Sequence, residues 1–196
     1  MIAIVDYGAG NLNSVKKAFV YLGADVTVVN TPEALAAADK IVLPGVGHFS
    51  ALSALETLGL RDALVESTRG TRPFLGICLG MQWLFEGSEE APQIAGAGLF
   101  AGTCRQFPTS VKSPHVGWNS LSIGNGSRLL RGLTVAPFVY YTHSFYAPLV
   151  EATTAATDYG QPFSGAVERD GIFGVQFHPE KSSDVGLSIL KNFCEA

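Results

Sequence analysis

The sequence predicts an α/β fold, with a mostly parallel open sheet that carries helices on both faces and continues into an antiparallel extension. Three observations support this prediction. Hydrophobic residues make up 47% of the 196-residue chain, which is enough for a sizeable core. The first half alternates short apolar runs with helical stretches, whereas the second half has strand-like runs with few helices. No repeat, low-complexity tract or linker divides the chain, so we expect residues 1–196 to form a single domain.

The first half predicts buried strands joined by helices, as in right-handed crossovers of a parallel sheet. The strands are expected at residues 1–6, 25–29, 40–43 and 73–77. The helices are expected at residues 11–22, from Thr31 onward, and at about residues 49–58 and 61–68. Gly23 follows the first helix in the usual C-terminal position. Thr31 and Pro32 begin the second as its N-cap and first helical residue.

The second half predicts mostly strands, which form the antiparallel extension. They are expected at residues 103–107, 138–142, 152–157, 164–169 and 172–177. The Arg-Asp-Gly segment at residues 169–171 is typical of a hairpin turn. A final helix is expected from Ser182 or Ser183, with apolar residues along one face.

Charge and cysteine content exclude several classes of protein. The net charge of −4 and the pI near 5.5 argue against a surface for nucleic acid or anionic membranes. Prolines and polar residues interrupt the longest uncharged stretch, residues 132–150, so it does not predict a membrane-spanning helix. The N-terminus has no basic region or cleavage site of a signal peptide. Three cysteines are a sparse, odd set that suits a reducing compartment, so we expect the cytoplasm.

A candidate nucleophile lies where the fourth predicted strand meets a helix. The segment Gly76-Ile77-Cys78-Leu79-Gly80 has the pattern of a nucleophile elbow, with cysteine in place of serine. Such a turn strains the nucleophile's backbone and brings neighbouring chain so close that glycine is needed beside it. The helix N-terminus favours a thiolate, and the Leu79 amide becomes one donor of an oxyanion hole. Taken alone, the pentapeptide fits a buried structural cysteine equally well.

A candidate base lies near the end of the chain, in Phe177-His178-Pro179-Glu180. Residues i and i+2 of an extended chain point to the same side, so Glu180 can hold and charge the imidazole of His178. Taken alone, this segment fits a strand-end histidine beside a solvated glutamate. Together with the elbow, at the carboxyl edge of a parallel sheet, it predicts a cysteine nucleophile with a histidine base.

These motifs resemble those of class I, triad-type glutamine amidotransferases. Residues 76–82 (GICLGMQ) and 176–182 (QFHPEKS) carry this general likeness. Residues 43–49 (LPGVGHF), 6–12 (DYGAGNL) and 114–119 (PHVGWN) resemble one family within the class, the glutaminase subunits of imidazole glycerol phosphate synthases. They match that family's oxyanion strand, N-terminal loop and interface segment, and the likeness runs from residue 1 to the final helix.

The resemblance implies an enzyme that hydrolyses glutamine to glutamate and ammonia. It also implies a heterodimer with a (β/α)8-barrel cyclase subunit, which receives the ammonia through a channel and forms imidazole glycerol phosphate in histidine biosynthesis.

The resemblance also assigns catalytic roles. Cys78 attacks the side-chain amide to give a γ-glutamyl thioester, His178 transfers the protons, and Glu180 orients His178. The oxyanion is bound by amides of Leu79 and of the segment Val46-Gly47. The second amide is expected to point away at rest and to turn when the partner is liganded, which flanking glycines make easy.

Substrate contacts and a partner face follow from the same resemblance. The α-amino and α-carboxylate groups of glutamine are expected to contact Gln82, Glu90, His143, Ser144 and Phe145. The cyclase is expected to contact Asn11, Trp118, Tyr140 and Lys181. Without the resemblance, Glu90 fits a solvated helix end, Trp118 a core residue and Lys181 an ordinary surface lysine.

The sequence has no convincing metal or cofactor motif, so we expect neither. It lacks a Cys-x-x-Cys pair, clustered histidines and an acidic triplet. The glycines at Gly8 and Gly10 lack the later glycine and the acidic residue of a dinucleotide fingerprint. Cys104 and Cys194 have no base or ligand partner at useful spacing and are expected to be structural.

Two other functions stay open on sequence alone. A free-standing cysteine hydrolase on a similar fold would need no partner and would be constitutively active. A non-catalytic regulatory homologue is expected to have lost a triad member, whereas Cys78, His178 and Glu180 are all present.

Overall fold

The computed structural model describes residues 1–124 and 126–196. Its strands are β1 (Ile2–Val5), β2 (Val26–Val29), β3 (Lys40–Leu43), β4 (Phe74–Ile77), β5 (Gly87–Ser88), β6 (Thr103–Gln106), β7 (His115–Ser120), β8 (Ser122–Ile123), β9 (Phe138–His143), β10 (Phe145–Tyr146), β11 (Thr153–Asp158), β12 (Pro162–Arg169) and β13 (Ile172–Val175). Its α-helices are α1 (Leu12–Tyr21), α2 (Pro32–Ala36), α3 (Ser53–Thr57), α4 (Leu60–Arg69), α5 (Leu79–Trp83) and α6 (Ser183–Cys194). Short 3₁₀ helices cover Phe49–Leu52 and Pro179–Lys181.

The main sheet confirms the predicted α/β class. Its order is β2-β1-β3-β4-β13-β12-β11-β8. The pairings from β2 to β13 are parallel, and those from β13 through β12 and β11 to β8 are antiparallel. The carboxyl ends of β3, β4 and β13 therefore lie side by side, and the segments that follow them meet at one edge.

Helices cover both faces of this sheet, as predicted. On one face α1 and α6 pack together through Phe19 and Phe193, whose ring centroids are 6.1 Å apart. On the other face α2, α4 and α5 contribute Leu35, Leu64 and Trp83 to a second core. Side chains alternate along each central strand and fill both cores, which fixes the strand register. Across the described residues, every helix is too short or too polar to cross a lipid bilayer.

Two predicted strands belong to smaller sheets rather than to the main one. β6 pairs with β5 and β10, and β9 pairs antiparallel with β7. The sequence does not predict β7, because Gly117 at φ +132° and polar neighbours interrupt its alternation. It also misses β5, β8 and β10, which have two residues each and depend on pairing rather than on local preference.

The predicted turns and caps are confirmed. Gly23 follows α1 with φ +77°, and Thr31 caps α2 with Pro32 in its first turn. Asp170 and Gly171 both have positive φ, as the hairpin between β12 and β13 requires.

Candidate active site

Cys78 lies in a sharp turn between β4 and α5. Its backbone has φ 53° and ψ −104°, a strained conformation for a residue with a side chain. The Cys78 amide donates to the Val175 carbonyl at 2.7 Å, which ties the turn to the end of β13. A Cβ on Gly76 would strike the backbone of Gly80, and one on Gly80 would strike the Leu43 carbonyl. Close approach therefore requires glycine on both sides of the strained cysteine.

His178 and Glu180 form a buried, hydrogen-bonded pair close to Cys78. Nδ1 of His178 lies 2.8 Å from Oε1 of Glu180, and both side chains are 1% exposed. A carboxylate only accepts, so Nδ1 donates the proton and Nε2 is left for the sulfur. Nε2 has no hydrogen-bond partner within the described part of the chain. Burial disfavours a charged imidazole, but the charges of Cys78 and Glu180 outweigh it and raise the pKa of His178.

The backbone of His178 is fastened to β9. Its amide donates to the Tyr140 carbonyl at 2.9 Å. The buried hydroxyl of Ser182 donates to the His178 carbonyl at 2.7 Å and accepts the Tyr140 amide at 3.0 Å. The position of the imidazole is therefore coupled to Tyr140.

A cavity of about 250 Å³ lies over Cys78. Most predicted site residues line it: Gly47, Cys78, Leu79, Gln82, Glu90, His143, Ser144 and Phe145. Val46, predicted together with Gly47, is half-buried and is not part of this wall. Pro114 and Thr142 complete the wall and have no role in the sequence prediction. The cavity is small, both polar and apolar groups line it, and Cys78 is part of its wall.

One of the two predicted oxyanion donors is engaged within the protein. The Leu79 amide donates to the Gly45 carbonyl at 3.4 Å. Gly45 is packed so tightly that a Cβ there would strike Leu79 and the buried Tyr7 hydroxyl. Gly47 has φ +99°, a conformation that favours glycine. For the Leu79 amide to face a ligand, the Gly45 carbonyl has to move away.

Gln82 and Glu90 are oriented by backbone contacts at the cavity wall. Nε2 of Gln82 donates to the Phe145 carbonyl at 2.8 Å, which ties α5 to β10. Oε2 of Glu90 accepts the Phe49 amide at 2.7 Å, which fixes the chain just after the oxyanion segment. The side-chain oxygen of Gln82, Oε1, and the other carboxylate oxygen of Glu90, also Oε1, can each serve a ligand.

His143 belongs to a buried, neutral histidine pair behind the cavity. Its Nδ1 lies 2.8 Å from the Phe145 carbonyl, and its Nε2 lies 3.1 Å from Nδ1 of His115. Nε2 of His115 in turn meets the Asn119 side chain at 3.4 Å. Burial lowers the pKa of His143 to about 3 and that of His115 to about 4. His143 thus positions the Phe145 segment as a hydrogen-bonding group.

The outer face of β7 and β9 gathers three of the four residues predicted to contact a partner. Trp118 is 50% exposed and packs edge-on against Tyr140, with ring centroids 6.0 Å apart. Nζ of Lys181 lies 5.8 Å from the centroid of the Tyr140 ring. Phe138 extends this surface and is 59% exposed. The Asn11 side chain caps α1 by accepting a hydrogen bond from the Ser14 amide in the first turn of the helix.

Gln176 is a site residue that the sequence analysis does not single out. It is fully buried, and its Nε2 lies 3.7 Å from Sγ of Cys78. The sequence offers one signal for Gln176, its spacing from His178. The two residues are at positions i and i+2, so an extended chain points both side chains to the same side.

The other cysteines lie apart from this arrangement. Cys104 is buried on β6, where burial raises the pKa of its thiol, and Cys194 ends α6. Among residues 1–124 and 126–196, no cluster of three or more His, Cys, Asp or Glu is arranged to hold a metal ion.

Comparisons with known proteins identify the family of the chain. Residues 3–196 match the family model of "Glutamine amidotransferase class-I". The chain is 48% identical to "Imidazole glycerol phosphate synthase subunit HisH" of Methanothermobacter thermautotrophicus, over 100% of this chain and 98% of the relative. It is also 48% identical to the protein of that name from Chlorobium luteolum over the full length of both, and 46% identical to one from Bacillus cereus over 98% and 93%.

Solved structures share the fold at low sequence identity. A "glutamine amidotransferase" superposes with a TM-score of 0.77 at 18% identity, over 99% of this chain and 100% of the other. A chain of PurLQS from Thermotoga maritima gives a TM-score of 0.75 at 16% identity, over 99% and 97%.

Proposed function

The chain belongs to the class I glutamine amidotransferase family, and we propose that it is the glutaminase subunit of imidazole glycerol phosphate synthase. It hydrolyses glutamine and delivers ammonia to a (β/α)8-barrel cyclase subunit for histidine biosynthesis. One observation carries this proposal: the strained Cys78 lies in the wall of a small cavity that also carries polar groups, and the buried pair of His178 and Glu180 lies close to Cys78.

The chemistry begins with Cys78 as thiolate and His178 as imidazolium, a state that the raised pKa of His178 favours. Sγ attacks the side-chain amide carbon of glutamine and forms the S–C bond. As the C–N bond breaks, Nε2 of His178 gives its proton to the leaving ammonia. Water then attacks the thioester and passes a proton to His178, and the S–C bond breaks to release glutamate and restore the thiolate. Glu180 stabilises the imidazolium and fixes its tautomer throughout.

The polar wall binds the substrate and the developing charge. Glu90 pairs with the α-amino group of glutamine, because it is the carboxylate of the wall. Oε1 of Gln82 accepts from the same α-amino group, and the backbone of the segment His143-Ser144-Phe145 holds the α-carboxylate. The Leu79 amide binds the oxyanion, together with an amide of Val46 or Gly47 once the segment has turned. The contact between the Leu79 amide and the Gly45 carbonyl therefore keeps the unassembled subunit slow.

The outer face of β7 and β9 is the cyclase-binding surface. Exposed aromatic residues beside a lysine suit an interface that is dry at its centre and polar at its rim. Two hydrogen bonds of the Tyr140 backbone, one with the His178 amide and one with the Ser182 hydroxyl, connect this surface to the catalytic base. Residues 1–196 act as a single domain, and the sparse set of three cysteines supports a cytoplasmic location.

The test is glutamate release from glutamine by the purified chain, alone and with the cyclase subunit and its nucleotide ligand. Strong stimulation by the liganded partner is expected. Equal activity of the chain alone would identify an independent hydrolase, and no activity in either sample would contradict the proposed function.

The Cys78→Ala variant separates the nucleophile from the rest of the complex. We expect it to abolish glutamine hydrolysis and to leave ammonia-dependent synthesis by the complex intact, because the cyclase then receives ammonia from solution. Cys194→Ala, in α6, is the matched control and should retain both activities. If Cys78→Ala also loses the ammonia-dependent reaction, Cys78 is structural.

A further inference from the structure

The buried amide of Gln176 contacts the nucleophilic sulfur. Gln176 has no solvent exposure and follows β13 directly, and its backbone amide donates to the Gly165 carbonyl at 2.9 Å. Its Nε2 lies 3.7 Å from Sγ of Cys78, within the range of a hydrogen bond to sulfur. The sulfur is thus approached by a neutral N–H donor.

A second glutamine fixes which end of the Gln176 amide faces the sulfur. Nε2 of Gln82 donates to Oε1 of Gln176 at 3.3 Å and to the Phe145 carbonyl at 2.8 Å. Gln82 has two amide protons, and these two acceptors use both. Because Oε1 of Gln176 accepts from Gln82, its NH₂ group must point toward Cys78. The orientation is therefore set by the Phe145 backbone at the cavity wall.

A donor in this position discriminates between the two states of the cysteine. A thiolate is a strong acceptor and a thiol is a weak one, so an N–H group held against Sγ favours the charged form. The contact lies inside the protein, where hydrogen bonds to charged groups are stronger than in water.

We propose that Gln176 is a further catalytic residue, whose side-chain amide donates to the Cys78 thiolate and holds it for attack, and that Gln82 is the positioning residue that orients this amide. The inference rests on Cys78 being the nucleophile of the proposed function. When Cys78 gives its proton to His178, the Gln176 amide supplies a hydrogen bond to the sulfur that remains. Phe145 lines the substrate cavity, so the same chain of contacts runs from the cavity wall to the sulfur.

The test measures alkylation of Cys78 by iodoacetamide as a function of pH, because this reagent reacts with the thiolate. The full chain is used, and the peptide containing Cys78 is quantified by mass spectrometry so that Cys104 and Cys194 do not contribute. Gln176→Met removes the donor at similar length, and Gln176→Glu keeps the shape but places a carboxylate beside the sulfur. Gln106→Met, an exposed glutamine on β6, is the matched control.

We expect the midpoint of the alkylation profile to rise by about one pH unit in Gln176→Met, which is typical of a lost hydrogen bond to a charged group. Gln176→Glu should raise it further, and Gln106→Met should leave it unchanged. In the liganded complex, kcat for glutamine hydrolysis should fall about 10-fold in Gln176→Met with KM unchanged. Identical shifts in both Gln176 variants, or none, would overturn the inference.

Two further features keep the test decisive. If the Gln176 variants do not fold, Gln82→Met removes the orienting donor and must raise the midpoint in the same direction by a smaller amount; an unchanged midpoint there overturns the inference. Alkylation needs no glutamine and no partner. A complex that releases no glutamate would therefore contradict the proposed function. The alkylation profile would still decide the role of Gln176.

Discussion

The strained backbone of Cys78 is possible because the neighbouring glycines, Gly76 and Gly80, have no side chains. A positive φ in a residue with a side chain costs about 1–3 kcal/mol, so the surrounding structure has to enforce it. The positive φ of Cys78 is held by the hydrogen bond from its amide to the Val175 carbonyl and by the close packing of β3 against α5. Gly80 permits this close packing, because a Cβ at this position would overlap the Leu43 carbonyl.

We therefore expect Gly80→Ala to lower the free energy of unfolding by about 3 kcal/mol or more, since the new methyl group meets backbone that cannot rotate away. Urea denaturation of the purified chain measures this change. Gly70→Ala is the matched control, because Gly70 has φ −90° and a Cβ there touches nothing closer than 4.0 Å. Equal stability of the two variants would mean that the turn can open without cost.

Some residues with proposed roles have no signature at the scale of the single residue. Gln176 is an ordinary polar residue in the sequence, and only the packing of β13 against the elbow gives it the sulfur as a neighbour. Glu90 similarly lies in an acidic run, yet in the fold it holds the Phe49 amide beside the oxyanion segment. Contacts between distant parts of the chain create both roles.

At the scale of the element, the pair β7–β9 performs two tasks with its two faces. Because strand side chains alternate, Trp118 and Tyr140 point outward, while His115 and His143 point inward. The two inner histidines are neutral and are linked by hydrogen bonds, from His115 to His143 and from His143 to the Phe145 carbonyl. One pair of strands thus joins the proposed cyclase-binding surface to the cavity over Cys78.

The buried histidines make stability dependent on pH. Folding depresses the pKa of His115 to about 4 and that of His143 to about 3, while an unfolded histidine titrates near 6.5. Between about pH 4 and 6.5 the unfolded chain binds protons that the folded chain does not, so stability falls as pH falls. Each histidine contributes a slope of about 1.4 kcal/mol per pH unit in this window.

His115→Gln should reduce this slope by about 1.4 kcal/mol per pH unit, because one of the two titrating groups is removed. The slope is measured from urea denaturation between pH 4.5 and 6.5. Asn13→Gln replaces an exposed residue that has no titratable side chain and should leave the slope as it is in the parent chain. A slope that does not change in His115→Gln would show that His115 takes up its proton in the folded state.

At the scale of the whole molecule, the exposed apolar face and the catalytic cavity share a framework. The outer face of β7–β9 is displayed to solvent, while Tyr140 on the same strand binds the backbone of His178. A partner that moves β9 therefore acts directly on His178, the proposed base. This geometry suits an enzyme whose activity depends on assembly.

We expect Trp118→Ala to weaken binding of the cyclase subunit about 30-fold, equivalent to about 2 kcal/mol, because an aromatic anchor loses its contact area. Calorimetric titration measures the change, and the unfolding midpoint of the isolated chain should barely move, since Trp118 is half-exposed. Leu58→Ala, at the end of α3 and 40% exposed, is the matched control and should bind normally. Equal affinity of the two variants would place the interface elsewhere.

The sequence by itself determines the α/β class, the parallel order of the first half and the main turns. Apolar periodicity, Gly23, Thr31-Pro32 and Asp170-Gly171 are local signals, and the structure follows each of them. It also yields the elbow and the His-x-Glu spacing, because both depend on neighbours in the chain.

Only the tertiary structure decides where β6 and β9 pair, that β7 is a strand, and that Gln176 touches the sulfur. It likewise shows the Leu79 amide engaged with Gly45 and leaves Val46 outside the cavity wall. The physical reason is common to all of these. Short strands, buried amides and carbonyl partners take their energy from contacts between segments far apart in the chain, and local sequence does not encode which segments will meet.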